Sequence, residues 1–108
     1  MLKIIIISIL IFHGSIHLLG FVKAFNYAEI KELKLPISKR LGRVWFSVFV
    51  LFIVSAIQYI FNIYYWWPTA LLATIVSQCI IISSWHDAKF GTVINILVIF
   101  LLTLTRTQ

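Results

Sequence analysis

The stretch VWFSVFVLFIVSAIQYIFNIYYWWPTALLATIVSQCIIISSW, residues 44–85, contains no charged side chain and decides the fold. A helix that crosses a membrane needs about 20 consecutive apolar residues, because the hydrocarbon core of a bilayer is roughly 30 Å thick. This stretch is about twice that length, so we predict that it folds back on itself. The break falls at residues 62–68, where Asn62 and Pro68 interrupt the helical pattern and the Tyr and Trp residues between them prefer the headgroup level. The stretch therefore predicts two antiparallel membrane spans.

Two further uncharged runs, Ile4–Val22 and Phe90–Thr105, flank this central stretch. Of the 108 residues, 62% are hydrophobic and 11% are charged, a composition too apolar for a water-soluble domain. We predict an all-α membrane protein, a single domain of residues 1–108 that forms a four-transmembrane-helix bundle. Its predicted spans are residues 2–21, 44–61, 67–85 and 90–106. The first run could also be a secretory signal peptide, but its length favours a span.

The basic residues are distributed unevenly around these spans. With four spans, both termini and residues 62–68 share one side, which carries only Lys3 and Arg106. The opposite side carries the remaining basic residues: Lys23, Lys31, Lys34, Lys39, Arg40, Arg43 and Lys89. Because Lys and Arg concentrate in cytoplasmic loops, we predict a multi-pass protein of the bacterial cytoplasmic (inner) membrane with both termini outside. Topology thus accounts for the net charge of +6, and we expect no nucleic-acid partner.

The segment between the first two spans contains helix signals. Asn26, followed by Glu29 three residues later, is typical of a helix N-terminus, and apolar residues recur at helical spacing as far as Lys34. This pattern predicts a short amphipathic helix on the inner membrane surface, ended by Pro36. Ser38 is then a candidate N-cap for the second span.

Polar side chains within the predicted spans are the candidates for function, since polar groups are costly in a bilayer and normally face the bundle interior. His13 and His17 are four residues apart and project from one helix face, with His13 near the mid-plane. Most polar side chains fall in the cytoplasmic half, which predicts a polar cavity open to the cytoplasm. The candidate ligand- or proton-binding residues are His13, His17, Gln78, His86, Asp87 and Asn95.

Several of these candidates also have a structural interpretation. Gln78, Asn95 and nearby serines can hydrogen-bond between helices, and Ser77 belongs to a small-residue pattern that favours close helix packing. Asp87 can cap the fourth helix or pair with Lys89.

Metal binding and catalysis receive less support from the sequence. A zinc site needs three or four ligands, and Cys79, His86 and Asp87 differ in depth from the two histidines, so no metal site is predicted. Cys79 is the only cysteine, which excludes an intramolecular disulfide, and we expect it to be buried. The chain has no phosphate loop, paired intramembrane carboxylates or nucleophile elbow. No catalytic residue is predicted, an enzyme is unsupported, and the cofactor is left open.

Three segments carry a resemblance to known proteins: HLLGFVKAF at 17–25, PISK at 36–39 leading to Trp45, and WHDAKFGT at 85–92 leading to Asn95. Together they resemble an uncharacterised family of bacterial four-span membrane proteins. The GFVK motif at 20–23 and the four-span layout resemble, more distantly, the DoxX-like superfamily, which includes a subunit linked to a quinone-using oxidoreductase. The resemblance implies a four-span fold and no specific activity.

Two functional interpretations follow. The first is an accessory or ligand-binding bundle, with a quinone- or lipid-related ligand and the lipid bilayer, a second copy or a membrane subunit as partner. The alternative is a dimeric proton-coupled small-molecule transporter that uses His13. Small multidrug transporters also have four spans, but His13 stands where their first helix carries a glutamate, and they lack the long basic loop of residues 23–43.

Overall fold

The computed structural model describes residues 1–29 and 37–106, and the described chain is helical apart from its turns. The helices are α1 (Leu2–Ala24), α2 (Lys39–Ile60), α3 (Trp66–Ser83), the short α4 (Trp85–Ala88) and α5 (Gly91–Arg106). The predicted amphipathic helix lies outside the described residues except for its first positions, which form a turn and a bend.

Three helices, α1, α2 and α3, are long and apolar enough to cross a membrane. With 23, 22 and 18 residues, they are about 34, 33 and 27 Å long. The helix α5 is apolar but has 16 residues, or about 24 Å. The whole molecule measures 42 × 22 × 20 Å, so its long axis matches a bilayer of about 40–45 Å including the headgroups.

The outer surface of the bundle is largely apolar, and its interior holds polar side chains beside an apolar core. The inner face of α1 carries His13 and His17, both almost completely buried, together with glycines. Its outer face carries large apolar side chains: Ile4, Ile5, Phe12, Ile16 and Leu19. Polar groups inside and apolar groups outside are what a lipid solvent requires, because lipid cannot satisfy a hydrogen-bonding group.

Small residues set the close approach of α1 to α2. A Cβ atom on Gly14 would lie 2.7 Å from the Cβ of Phe52, and one on Gly20 would overlap the indole ring of Trp45. Glycine at these positions lets two aromatic side chains of α2 lie directly against the backbone of α1. The histidines on the same face of α1 are thereby held beside Phe52 and Trp45.

Both α1 and α2 end in the same backbone motif. After α1, the amide of Asn26 donates to the carbonyl of Lys23 and the amide of Tyr27 to that of Val22, with Asn26 at φ 58°. Asn62 has the same φ at the end of α2 and an equivalent pair of hydrogen bonds. This is the Schellman motif, in which Asn tolerates the left-handed conformation. The prediction that Asn26 begins a helix is therefore wrong, because this residue terminates α1.

The predicted helix starts at Ser38 and near Pro68 are confirmed. The Oγ of Ser38 accepts a hydrogen bond from the amide of Leu41 at 3.1 Å, and α2 begins at the next residue. Pro68 lies in the first turn of α3, where its missing N–H costs little. The break predicted at residues 62–68 overlaps the turn at residues 61–65, and its last three residues already belong to α3.

The prediction that Cys79 is buried is wrong, and so is one of the two structural interpretations of Asp87. Cys79 is exposed on the outer face of α3, because the helix turns Ser77 and Ile80 inward instead. Asp87 does not cap α5, since it lies within α4, four positions before α5 begins.

The helices pack in sequential order, and the ring that they form is incompletely closed. The helix α1 packs along α2, α2 along α3, and α3 along α5, whereas α1 and α5 approach each other only sparsely. A gap therefore lies on the α1–α5 side of the bundle, next to the histidine face of α1.

Candidate functional site

The two histidines of α1 lie one helical turn apart in the centre of the bundle. Their rings meet edge to face, with centroids 4.7 Å apart. Phe52 packs against both rings, at centroid distances of 5.1 Å from His13 and 5.6 Å from His17. Trp45 packs against His17 at 5.5 Å. Aromatic side chains of α2 thus fix the orientation of both imidazoles.

Each histidine also contacts a polar side chain of another helix. The Nε2 atom of His17 lies 2.7 Å from the Oγ of Ser77 on α3, and its Nδ1 atom lies 2.8 Å from the carbonyl oxygen of His13. The Nε2 atom of His13 lies 2.8 Å from the Oδ1 of Asn95 on α5. These contacts join three helices at one level of the bundle.

Asn95 connects the histidines to further polar residues. Its Nδ2 donates to the Oγ of Ser77 at 3.1 Å and to the Oε1 of Gln78 at 3.0 Å. Gln78 in turn donates from Nε2 to the Oγ1 of Thr92 at 3.1 Å. The result is a continuous hydrogen-bond network, which we call the His–Asn network: His13, His17, Ser77, Gln78, Thr92 and Asn95.

Two nitrogen atoms beside this network have no hydrogen-bond partner among the described residues. They are Nδ1 of His13 and Nε1 of Trp45, and both are fully buried. The side chains themselves are also buried, with 1% of His13 and 3% of Trp45 exposed. Buried polar atoms are nearly always paired in native proteins, so an unpaired atom points to a missing partner.

Both of these side chains line a pocket of about 470 Å³ in the gap between α1 and α5. We call it the α1–α5 pocket. Its apolar walls come from α1, α3 and α5, and α4 lies at one end: Phe12, Ile16, Leu19, Ile81, Ala88, Phe90, Gly91 and Ile94. Phe12 and Phe90 are also largely exposed on the outer surface. The pocket therefore borders the surface that lipid would cover.

This geometry differs from the polar cavity that the sequence predicted. The His–Asn network fills the interior with side chains that satisfy one another, and the remaining space has mainly apolar walls. A second groove of about 310 Å³ lies between α3 and α5, on the other side of Asn95, and includes Gln78 and Thr92. Members of the network therefore line both recesses: His13 and His17 the pocket, and Gln78, Thr92 and Asn95 the groove.

The structure brings together four of the six residues predicted as candidates: His13, His17, Gln78 and Asn95. Asp87 lines the α1–α5 pocket next to Ala88, whereas His86 is exposed and takes no part in the pocket or network. Within residues 1–29 and 37–106, no three His, Cys, Asp or Glu side chains cluster as metal ligands would.

Sequence reasoning missed Thr92 and Trp45 as site residues and treated Ser77 as a packing residue only. Ser77 is completely buried and bonded to both His17 and Asn95. Its position one residue before Gln78 does not indicate that Ser77 joins the same network, because neighbouring helix positions face different directions. Trp45 gives no site signal in the sequence, because Trp is also common at membrane–water interfaces.

Comparison with known protein families, curated proteins and solved structures finds no match to this chain. The fold and site define it as an all-helical protein with three helices able to cross a membrane, a buried histidine network and an adjoining apolar pocket.

Proposed function

We propose that this protein is a four-span protein of the bacterial inner membrane that binds a lipid-soluble ligand in the α1–α5 pocket. The observation that carries the proposal is a mainly apolar pocket of about 470 Å³ whose lining includes His13, a buried side chain with an unpaired Nδ1 atom. Ligand sites are typically concave and mostly apolar, with a few polar groups that orient the ligand. The volume lies within the usual range of about 300–1,000 Å³ for such sites.

The position of the pocket favours a ligand that arrives from the bilayer. The wall residues Phe12 and Phe90 are 65% and 74% exposed, and the outer face of α5 beside them is apolar, including Val93 and Ile96. In a membrane these surfaces contact acyl chains, so an apolar molecule can reach the pocket laterally without crossing water. The resemblance to DoxX-like proteins adds quinones and their reduced phenolic form, quinols, to the ligands worth testing.

The proposed fourth span consists of α4 and α5 together. From Trp85 to Arg106 they cover about the length that a membrane crossing requires, although α5 alone is short. Four crossings place Lys3 and Arg106 on one side and the more basic loops on the other, which orients both termini outwards.

The alternative function is a dimeric proton-coupled transporter with His13 as the proton carrier. Such a role needs a hydrated path from His13 to an aqueous surface. The geometry gives it less support than ligand binding, because Nε2 of His13 bonds to Asn95 and the adjoining pocket is mainly apolar.

Photolabelling in nanodiscs tests the proposed pocket. An apolar alkyl diazirine should label Phe12, Ile16 and Phe90 in a saturable manner, and excess unlabelled alkane should compete with it. In the Ala88→Phe variant the added ring fills the α4 end of the pocket, so saturable labelling should fall severalfold.

The matched control is Val93→Phe, which adds the same ring on the exposed surface of α5 outside the pocket lining. This variant should be labelled like the natural protein. Labelling that cannot be saturated, or that falls equally in both variants, would show ordinary contact with lipid and would remove the proposal.

A further inference from the structure

The hydrogen bonds around the two histidines determine which ring nitrogens carry protons. The starting point is the carbonyl oxygen of His13. A carbonyl oxygen can only accept, so Nδ1 of His17 must donate to the carbonyl of His13, 2.8 Å away. An imidazolium at this site would be a buried charge, and no carboxylate of the described residues bonds to either ring. His17 is therefore a neutral ring with its proton on Nδ1, and its Nε2 atom is an acceptor.

The direction of the next bond follows from the first. Because Nε2 of His17 accepts, the single proton of Ser77 must point to it across 2.7 Å. The Oγ of Ser77 then has no proton left for Asn95, so the Asn95 atom 3.1 Å away must be a donor. This requirement fixes the orientation of the Asn95 amide, with Nδ2 toward Ser77 and Oδ1 toward His13.

The last step concerns His13, a residue of the pocket lining. The Oδ1 of Asn95 is an acceptor, so Nε2 of His13 must carry the proton across the 2.8 Å contact. A neutral imidazole has one proton, which leaves Nδ1 of His13 as an unprotonated acceptor without a partner among the described residues. The other unpaired atom, Nε1 of Trp45, is by its chemistry a donor.

We infer that the α1–α5 pocket is selective for a hydroxyl-bearing amphiphile, an alcohol or a phenol, whose O–H donates to Nδ1 of His13. A hydroxyl group can donate to Nδ1, whereas a ketone or aldehyde can only accept and leaves His13 unpaired. The inference rests on the proposed function, since it names the ligand class for the same pocket.

The proton positions can be tested without any ligand. In protein labelled with ¹⁵N-histidine in nanodiscs, His13 should show a protonated Nε2 and an unprotonated Nδ1, and His17 the reverse. The variants His13→Phe and His17→Phe assign the signals. A proton on Nδ1 of His13, or an imidazolium at either position, would overturn the inference while leaving the pocket proposal standing.

Ligand selectivity is tested by competition against the diazirine label. Farnesol should compete at concentrations roughly tenfold or more below farnesal, because only the alcohol can pair the buried acceptor. An alkylphenol and its methyl ether form a second pair and show whether a phenol fits as well as an alcohol. Equal competition within both pairs would refute the selectivity alone, whereas no competition by any of these compounds would refute the pocket itself.

The variant Asn95→Leu tests the link between the network and selectivity. Without the Asn95 oxygen, His13 can place its proton on either nitrogen, so the advantage of farnesol over farnesal should fall toward onefold. An advantage that persists undiminished would show that the network does not set the selectivity. If this variant does not fold, Asn95→Ala removes the same oxygen with a smaller side chain and should reduce the same ratio, and a ratio unchanged in Asn95→Ala would count equally against the inference.

Discussion

The Oγ of Ser77 lies 2.7 Å from the Nε2 of His17, a contact that ties α3 to α1 at the centre of the bundle. Ser77 also accepts from Asn95 on α5, so a single hydroxyl group joins three helices. Hydrogen bonds of this kind hold membrane helices in a defined rotation, because a polar group that loses its partner faces lipid instead.

The Ser77→Ala variant should destabilise the bundle modestly. It removes one bond to His17 and one to Asn95, and interhelical hydrogen bonds in membranes contribute about 0.6 kcal/mol each and up to 1–2. We expect a loss of about 1–2 kcal/mol, measured by unfolding of the detergent-solubilised protein in SDS. The control is Ser83→Ala on the same helix, whose hydroxyl bonds to the carbonyl of Ile80 within α3 and should matter little. Equal effects of the two substitutions would contradict the bridging role of Ser77.

The Gly20→Ala variant should destabilise the bundle more than the addition of a single methyl group would suggest. A Cβ at this position would overlap the ring of Trp45, and forced overpacking costs about 1–3 kcal/mol. The helices α1 and α2 must separate or Trp45 must move, and movement of Trp45 would change its fluorescence. Ser15→Ala, on the exposed face of the same helix, is the comparison. Unchanged stability and emission in Gly20→Ala would show that the glycine is not needed for packing.

Asn62 should tolerate glycine and reject a β-branched residue. Its φ of 58° lies in the left-handed region, where a β-branched side chain is strained by about 1–2 kcal/mol. Both Asn62→Gly and Asn62→Val lose the contact that the Nζ of Lys3 makes with the Asn62 side chain, so the difference between them isolates the backbone. We expect Asn62→Val to unfold at lower denaturant concentration than Asn62→Gly. The reverse order would exclude the Schellman end of α2.

Reporter fusions should place both termini on the outer side of the membrane. Four crossings put the termini on the same face, whereas three crossings would put them on opposite faces. A periplasm-active reporter should work at either end, and a cytoplasm-active reporter should work when inserted after Lys39. Activity of the cytoplasmic reporter at the C-terminus would show that α4 and α5 do not cross.

Helix positions could be predicted well because their signals are local. The break at residues 62–68, the cap at Ser38 and the shared helix face of His13 and His17 each depend on a few neighbouring residues. The Asn26 prediction failed because it also relied on a local signal, and this signal fits more than one structure. The pattern of Asn26 followed by Glu29 fits a helix start. However, α1 ends two residues before Asn26, and Asn26 belongs to the Schellman motif that terminates α1.

The candidate site was predicted only in part. Asn95 and Gln78 were chosen because amides are rare in spans, and this property is visible in the sequence. That Ser77 completes the network, that His86 points away from it, and that Cys79 is exposed depend on how α3 and the turn after it are rotated. Helix rotation is set by neighbours distant in the sequence, so no local pattern reports it.

The sequence by itself determined that this chain is helical, that its apolar helices suit a lipid environment, and that two histidines share one helix face. These properties follow from hydropathy and helical spacing, which each segment carries alone. Only the tertiary structure decided that α1 and α5 leave an apolar pocket between them and that His13, which lines this pocket, has a nitrogen without a partner among the described residues. The reason is that a cavity and the direction of a hydrogen-bond chain are properties of several helices at once, fixed by which side chains their packing brings into contact.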